Sequence, residues 1–192
     1  MLVSYGVRMS DLYTALGDLD ATAADSAEIA ERMTAFLIAE GVVAPNRTDC
    51  VLGAETGYPP GPNADAFTEF PVDRTLWTNG AEIIAGPELH LSTSDELVMT
   101  CPHCGRSTAI EFSAEYWPPM QRDLFGFADG DGAIACPECG ERAPINDVAW
   151  QDEAVIAAYA SVVFWNWGDL SALQAALEQH LGHRFRMQIA KF

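Results

Sequence analysis

The phrase Cys-Pro-x-Cys-Gly occurs twice in this chain, as Cys101-Pro102-His103-Cys104-Gly105 and as Cys136-Pro137-Glu138-Cys139-Gly140. Two cysteines three apart reach one ion only if the chain between them curls. Pro102 and Pro137 preset φ for such a turn. Gly105 and Gly140 supply the positive φ and the close approach of backbone to sulfur that follow it. Residues 105–135 separate the two copies, which together provide four thiolates, the ligand set of a closed tetrahedral zinc site. The expectation is one structural Zn2+ held by Cys101, Cys104, Cys136 and Cys139. No coordination position is left for a substrate.

Cys-Pro-His-Cys also has the form of a dithiol redox motif. That chemistry needs the first cysteine at a helix N-terminus, where the dipole lowers its pKa. Here Gly105 follows at once, and Arg106 to Phe112 reads as a strand. A second Cys-x-x-Cys has no place in a lone redox site. Cys50, the fifth cysteine, reads as a small buried hydrophobe.

The rest of the chain predicts an α+β fold: a mixed helix and strand domain with an inserted four-cysteine zinc ribbon and a C-terminal strand-helix-strand unit. Residues 1–95 form an acidic N-terminal region of helices, then a loop and short strands. Residues 96–145 form the ribbon, and residues 146–192 the strand-helix-strand unit packing back on the main core. Asp25-Ser26-Ala27-Glu28 has the pattern of a capping box. Ile29, Met33, Phe36 and Leu37 follow at helical spacing, and Gly41 is a natural stop. Ser10 to Leu19 reads as a shorter helix upstream.

Val42 to Asn79 has little periodicity, and Gly57-Tyr58-Pro59-Pro60-Gly61-Pro62-Asn63 excludes a helix or central strand there. It reads as an ordered loop packed by Tyr58, Phe67, Phe70 and Trp77. Ala81–Ala85, Leu89–Ser92 and Glu96–Thr100 read as short strands, with turns at Gly86-Pro87 and Ser94-Asp95. Thr108 to Phe112 leaves the first knuckle and Ala133 to Ala135 enters the second. The aromatics of Tyr116-Trp117-Pro118-Pro119 and Phe125-Gly126-Phe127 cover the ribbon or meet a partner. Asp129-Gly130-Asp131-Gly132 lacks the remaining ligands of a calcium loop and reads as a hairpin turn. Ser161 to Trp167 reads as a buried strand. Leu170, Leu173, Leu177 and Leu181 form a helical stripe closed by Gly182, and a strand with alternating faces runs to Phe192.

Charge narrows the functional classes. The chain of 192 residues carries a formal net charge of −18. Residues 1–100 hold 16 acids and 4 bases, whereas residues 151–192 hold 4 acids and 3 bases. Such a balance repels a phosphate backbone, which argues against direct nucleic-acid binding, and it disfavours anionic membrane surfaces. The longest apolar stretch, Ala154 to Trp167, is too short to span a bilayer. No secretory signal is legible at the N-terminus. Cysteines set out for metal fit a reducing cytoplasm.

The C-terminal half, from about Val98 to Lys191, resembles a family of small bacterial CPxCG zinc-ribbon proteins commonly labelled sugar ABC transporter ATPases. The likeness rests on the two knuckles, on Phe164-Trp165-Asn166-Trp167, and on Leu181-Gly182-His183-Arg184 with Lys191. The resemblance implies a zinc ribbon and brings no active site with it. The sequence has no GxxxxGK[ST] loop to cradle ATP phosphates.

Among His90, His103, His180 and His183 no Ser-His-Asp order or HExxH pattern appears. The expectation is a non-catalytic zinc-ribbon module, not an enzyme, that binds a basic protein. An immunity-type inhibitor of a basic toxin has this profile, because acidic inhibitors capture basic targets by electrostatic steering. A transcription- or RNA-associated accessory protein is the alternative, and an enzyme with an unrecognised site the second alternative.

Overall fold

A computed structural model describes residues 11–92, 96–111, 117–129 and 132–191. Its elements run in the order β1 (Leu12–Asp18), α1 (Ser26–Ala39), β2 (Ala81–Leu91), β3 (Glu96–Thr100), β4 (Ser107–Glu111), α2 (Trp117–Phe125), β5 (Ala133–Ala135), β6 (Arg142–Pro144), β7 (Ala149–Trp150), β8 (Val155–Trp165), α3 (Ser171–Leu181) and β9 (Phe185–Lys191). The fold is α+β, with antiparallel sheets ordered β2-β8-β1-β9, β4-β3-β7 and β5-β6.

The four-stranded sheet buries its two faces in different company. Leu16, Ala160, Val162, Phe164 and Phe185 face the helices, where Ile29, Met33 and Leu37 of α1 meet Leu173, Leu177 and Leu181 of α3. This is why apolar residues recur at helical spacing in both helices. Each fully buried leucine contributes about 1.5–3 kcal/mol by leaving water. Gly182, at φ 73°, ends α3 in the left-handed conformation. On the other face Ala15, Val163 and Trp165 pack beneath Cys50 and Val51 of the long loop.

The sheet is strongly curled. Tyr13 pairs with Trp165 and His90 with Ile156, positions nine residues apart on β8. Nine residues of extended strand span about 30 Å. Yet the rings of Tyr13 and His90 lie 5.7 Å apart and share a hydrogen bond. The ribbon made by β2 and β8 therefore bends back over the sheet. The bend sits at Gly86-Pro87, where Gly86 has φ 126° and the β2–β8 register slips between Ala85 and Glu88. The start of β8 lies so close to β1 that a Cβ on Gly17 would come within 2.4 Å of Ile156 Cγ2. Gln188 Nε2 donates to the Ala154 carbonyl at 2.8 Å, and Arg186 donates to the carbonyls of Val155 and Asn146 at 3.2 and 3.1 Å, which ties β9 across the curl.

Residues 92–154 leave the end of β2 and return to the start of β8, where Ser92 N–H donates to the Ala154 carbonyl. Between them lies a second core built from Leu97, Met99, Ile110, Leu124, Ile134, Ile145 and Trp150. Val155 and Ala157 of β8 belong to the same cluster, and Leu89 and Leu91 of β2 pack against it.

Several expectations need correction. The sequence predicts a helix over Ser10 to Leu19, but residues 12–18 form β1, paired on both sides between β8 and β9. The strand is central, and burial on both faces overrides the helical propensity of Leu-Tyr-Thr-Ala-Leu. Gly86-Pro87 is a bulge within one long strand rather than a turn between two. Helix α1 begins where expected but without the capping box, because the Asp25 carboxylate accepts from Thr22 instead. The segment 117–125 is helical, with Pro118 and Pro119 in its first turn, where a missing N–H costs nothing. The long loop is ordered as expected: bridges join Val43 to Pro60, Thr48 to Gly57 and Tyr58 to Ala81. Tyr58 and Phe67 pack on the core. Phe70 and Trp77 do not, and are 69% and 60% exposed. The expected turn at Ser94-Asp95, residues 1–10, Phe112 and Tyr116, and part of the Asp129–Gly132 turn lie outside the described residues.

Candidate metal centre

Each knuckle is the tip of an antiparallel hairpin. β3 enters the first and β4 leaves it, while β5 enters the second and β6 leaves it. The two are built alike. Cys101 N–H donates to the Arg106 carbonyl, and Gly105 N–H donates back to the Cys101 carbonyl. Cys136 and Glu141, with Gly140, repeat the pattern. Gly105 and Gly140 hold φ at 69° and 76°, the left-handed conformation that lets each turn close. His103 N–H and Glu138 N–H each point at the first sulfur of their own knuckle, at 3.4 Å.

The four expected ligands come together. The Sγ atoms of Cys101, Cys104, Cys136 and Cys139 all lie within 4.8 Å of one another and could hold a metal ion. Across the knuckles, Cys101 to Cys139 and Cys104 to Cys136 are each 3.9 Å. A tetrahedron with metal–sulfur bonds of about 2.3 Å has edges of about 3.8 Å. The donor set therefore fits such an ion, and the thiols are unbridged. Cys101 and Cys136 are buried, whereas Cys104 and Cys139 reach the surface.

The electrostatics also call for a cation. Backbone N–H groups of Cys104 and His103 lower the pKa of the Cys101 thiol, against the opposing effect of desolvation. At Cys139 the N–H of Glu141 acts in the same direction. Desolvation and the three neighbouring sulfurs outweigh it and push that thiol up to about 12. Four thiolates in this volume repel one another unless a positive ion sits among them.

Three bracing contacts escaped the sequence reading. Arg106 Nη1 donates to Glu138 Oε2 at 2.9 Å, one charge from each knuckle. His103 Nε2 donates to the Arg142 carbonyl at 3.0 Å, tying the first knuckle to β6. Arg142 pairs with Asp123 of α2 at 3.1 Å. A trace was present in the sequence, because the first knuckle is followed by a base and the second carries an acid at its variable position.

The other singled-out residues have structural partners. His183 Nδ1 donates to Asp18 Oδ2 at 2.8 Å, and Asp18 also accepts from the N–H groups of Asp20 and Ala21. His180 stacks on Phe36 at 4.6 Å between ring centroids. Cys50 is buried. Two of the three C-terminal bases are occupied as well: Arg184 pairs with Asp20 at 2.6 Å, and Arg186 serves the backbone carbonyls of the curl. Asn166, at φ 64°, donates to Asp11 and to the Thr78 carbonyl, and Trp167 Nε1 donates to the Asn79 carbonyl. The Phe-Trp-Asn-Trp motif is thus a joint between β8, β1 and the long loop. Among the described residues no helix is long and apolar enough to cross a membrane.

No family model, curated protein or solved structure matches this chain.

Proposed function

We propose that this chain is a non-catalytic protein-binding module whose ribbon is held by one structural Zn2+ and whose partner is a basic protein. An immunity-type inhibitor of a basic toxin, working in the reducing cytoplasm, is the form that suits it best. The carrying observation is the loop from Asp65 to Trp77. It presents Phe70 and Trp77, 69% and 60% exposed, beside the exposed acids Asp65, Glu69 and Asp73. The loop is braced in place: Arg74 pairs with Asp65 at 2.9 Å and donates to the Gly61 carbonyl, while Val72 N–H donates to Asp65. Aromatic anchors held in position lose little freedom on binding, and a surrounding negative field steers a basic target toward them. All-cysteine tetrahedral geometry supports zinc, with iron as its competitor. Kinship with the CPxCG family stays part of this proposal and rests on the motifs alone.

The test is capture from cell extract followed by kinetics on the purified pair. The expected partner is basic, and its association slows at least tenfold between low and high salt. Glu69→Lys slows association further, and the Phe70→Ser/Trp77→Ser pair speeds dissociation. Asp65 is unsuitable for charge reversal because it holds the loop. An acidic partner, or co-purification that nuclease abolishes, overturns the reading in favour of a transcription- or RNA-associated role.

A further inference from the structure

We propose that the outer edge of β2 is a strand-addition site that takes an extended, lysine- or arginine-bearing segment of the basic partner. This rests on the basic-partner reading above and gives it a second contact.

The hydrogen-bond phase of β2 decides which groups are free. Trp165 N–H donates to the Gly80 carbonyl and Gly80 N–H to the Cys50 carbonyl, so Gly80 and Trp165 stand at a hydrogen-bonding position of the ladder while sharing one bond. In an antiparallel ladder such pairs alternate with pairs that face away. With the observed register, Glu82 and Ile84 therefore bond inward to Val163 and Ser161 of β8. The N–H and C=O groups of Ala81, Ile83 and Ala85 point outward. Ala81 confirms the phase, because it exchanges both of its bonds with Tyr58, each at 2.8 Å. The loop then leaves the edge, since Gly57 pairs with Thr48 instead. Among the described residues, Ile83 and Ala85 have no backbone partner on this side. The edge is thus begun by Tyr58 and left incomplete for two outward-facing residues, until the Gly86-Pro87 bulge ends it.

A groove runs beside this incomplete edge. Its floor and one wall are Ile83, Ala85 and the small residues Ala27, Ala30 and Thr34 of α1. Tyr58 closes one end under Arg47, whose guanidinium lies 5.4 Å from the Tyr58 ring centroid and donates to the Thr56 carbonyl. Small side chains leave room for a backbone beside the helix. Glu31 stands exposed in the α1 wall, and no ion pair engages it among the described residues. Strand addition supplies main-chain hydrogen bonds, and alternate side chains supply selectivity. Here the inward-pointing side chains of the incoming strand meet alanine and threonine, so they are small. A basic side chain beside the helix reaches Glu31. The carboxylate is what selects a basic segment over a second copy of this acidic chain.

The probe is a blocked peptide of alternating lysine and valine, titrated into the full 15N-labelled, metal-loaded protein. Amide shifts should centre on Ile83 and Ala85, with hydrogen exchange at those two N–H groups slowed about tenfold or more at saturation. Glu31→Lys should weaken binding about tenfold, and Ala85→Pro should do the same by removing one outward donor at an exposed edge position. Exchange in the unaltered protein carries the test if the proline variant fails to fold. The same peptide with N-methylated alternate residues keeps its charge and loses its donors, and equal binding by it overturns the proposal. Shifts confined to residues 65–77 overturn it too, while leaving the basic-partner reading standing. No binding anywhere on the chain counts against both. Concentration-dependent protection of Ile83 and Ala85 without peptide assigns the edge to a second copy and overturns the proposal.

Discussion

Tyr13 and His90 meet inside the curl of the main sheet, hydrogen-bonded through the tyrosine hydroxyl and His90 Nδ1. His90 is 1% exposed, and burial holds its pKa down at about 4 instead of 6.5. Tyr13 is shifted up by burial and by the nearby carboxylates of Glu88 and Glu82. As pH falls, the unfolded chain protonates His90 near 6.5 while the folded chain resists until about 4. Stability is therefore lost as pH falls through that window, by up to about 3 kcal/mol. Burial raises the pKa of both Glu82 and Glu88, which works in the opposite sense above the ordinary glutamate value. Thermal melts from pH 7 to 4 should show the loss, and His90→Gln should flatten the slope whatever its own offset. An unchanged slope in that variant would place the pH dependence elsewhere.

The curl itself is testable at Gly17. An added Cβ meets Ile156 Cγ2 at 2.4 Å and Ala158 Cβ at 3.2 Å. Gly17→Ala should cost about 1–3 kcal/mol through overpacking. Combining it with Ile156→Ala should recover part of that loss, a coupling readable from denaturant melts. Strictly additive costs would mean that the two strands do not approach as described.

Metal loading should follow the four sulfurs. Purified protein should carry close to one Zn2+ per chain by elemental analysis, and the Cys101→Ser/Cys136→Ser pair should carry none. Because the site does not exist in the unfolded chain, binding free energy adds to folding free energy. Chelation should lower the melting temperature and open residues 96–150 to protease. Loss of metal with no change in either observable would contradict a structural role.

The glycines of the knuckles give a finer test. Nothing lies within 4 Å of a Cβ added at Gly105 or Gly140, so space is not the constraint. Both sit at positive φ, where an L side chain costs about 1–2 kcal/mol. Gly105→Ala and Gly140→Ala should each weaken zinc affinity about tenfold in a competition titration and leave the stoichiometry intact. Gly105→Asn should be milder, since asparagine tolerates that conformation better.

The four-cysteine cluster was legible because its information is local: type, spacing and turn residues of each knuckle all lie within five positions. The leucine stripe of α3 was legible for the same reason. Strand β1 was not, because nothing within residues 12–18 says that two other strands will cover it. The exposure of Phe70 and Trp77 was also hidden, since aromatic residues in a proline-rich loop look like its packing until neighbours are known. Arg106 and Glu138 are 32 positions apart, and their pairing exists only once the fold sets the two knuckles side by side.

Topologically, residues 92–154 are the loop of a single hairpin. β2 and β8 are adjacent antiparallel partners, and the ribbon hangs between their ends, closed by Ser92 N–H on the Ala154 carbonyl. Lengthening a loop carries only a slow logarithmic entropy cost, so a separate small body with its own core can occupy that position without undoing the sheet below it. The ribbon is in this sense an exchangeable cartridge. Its removal would leave Leu89, Leu91, Val155 and Ala157 as a bare apolar strip along the hairpin. A shortened chain joined by a two-residue turn would need polar residues on that strip to remain monodisperse.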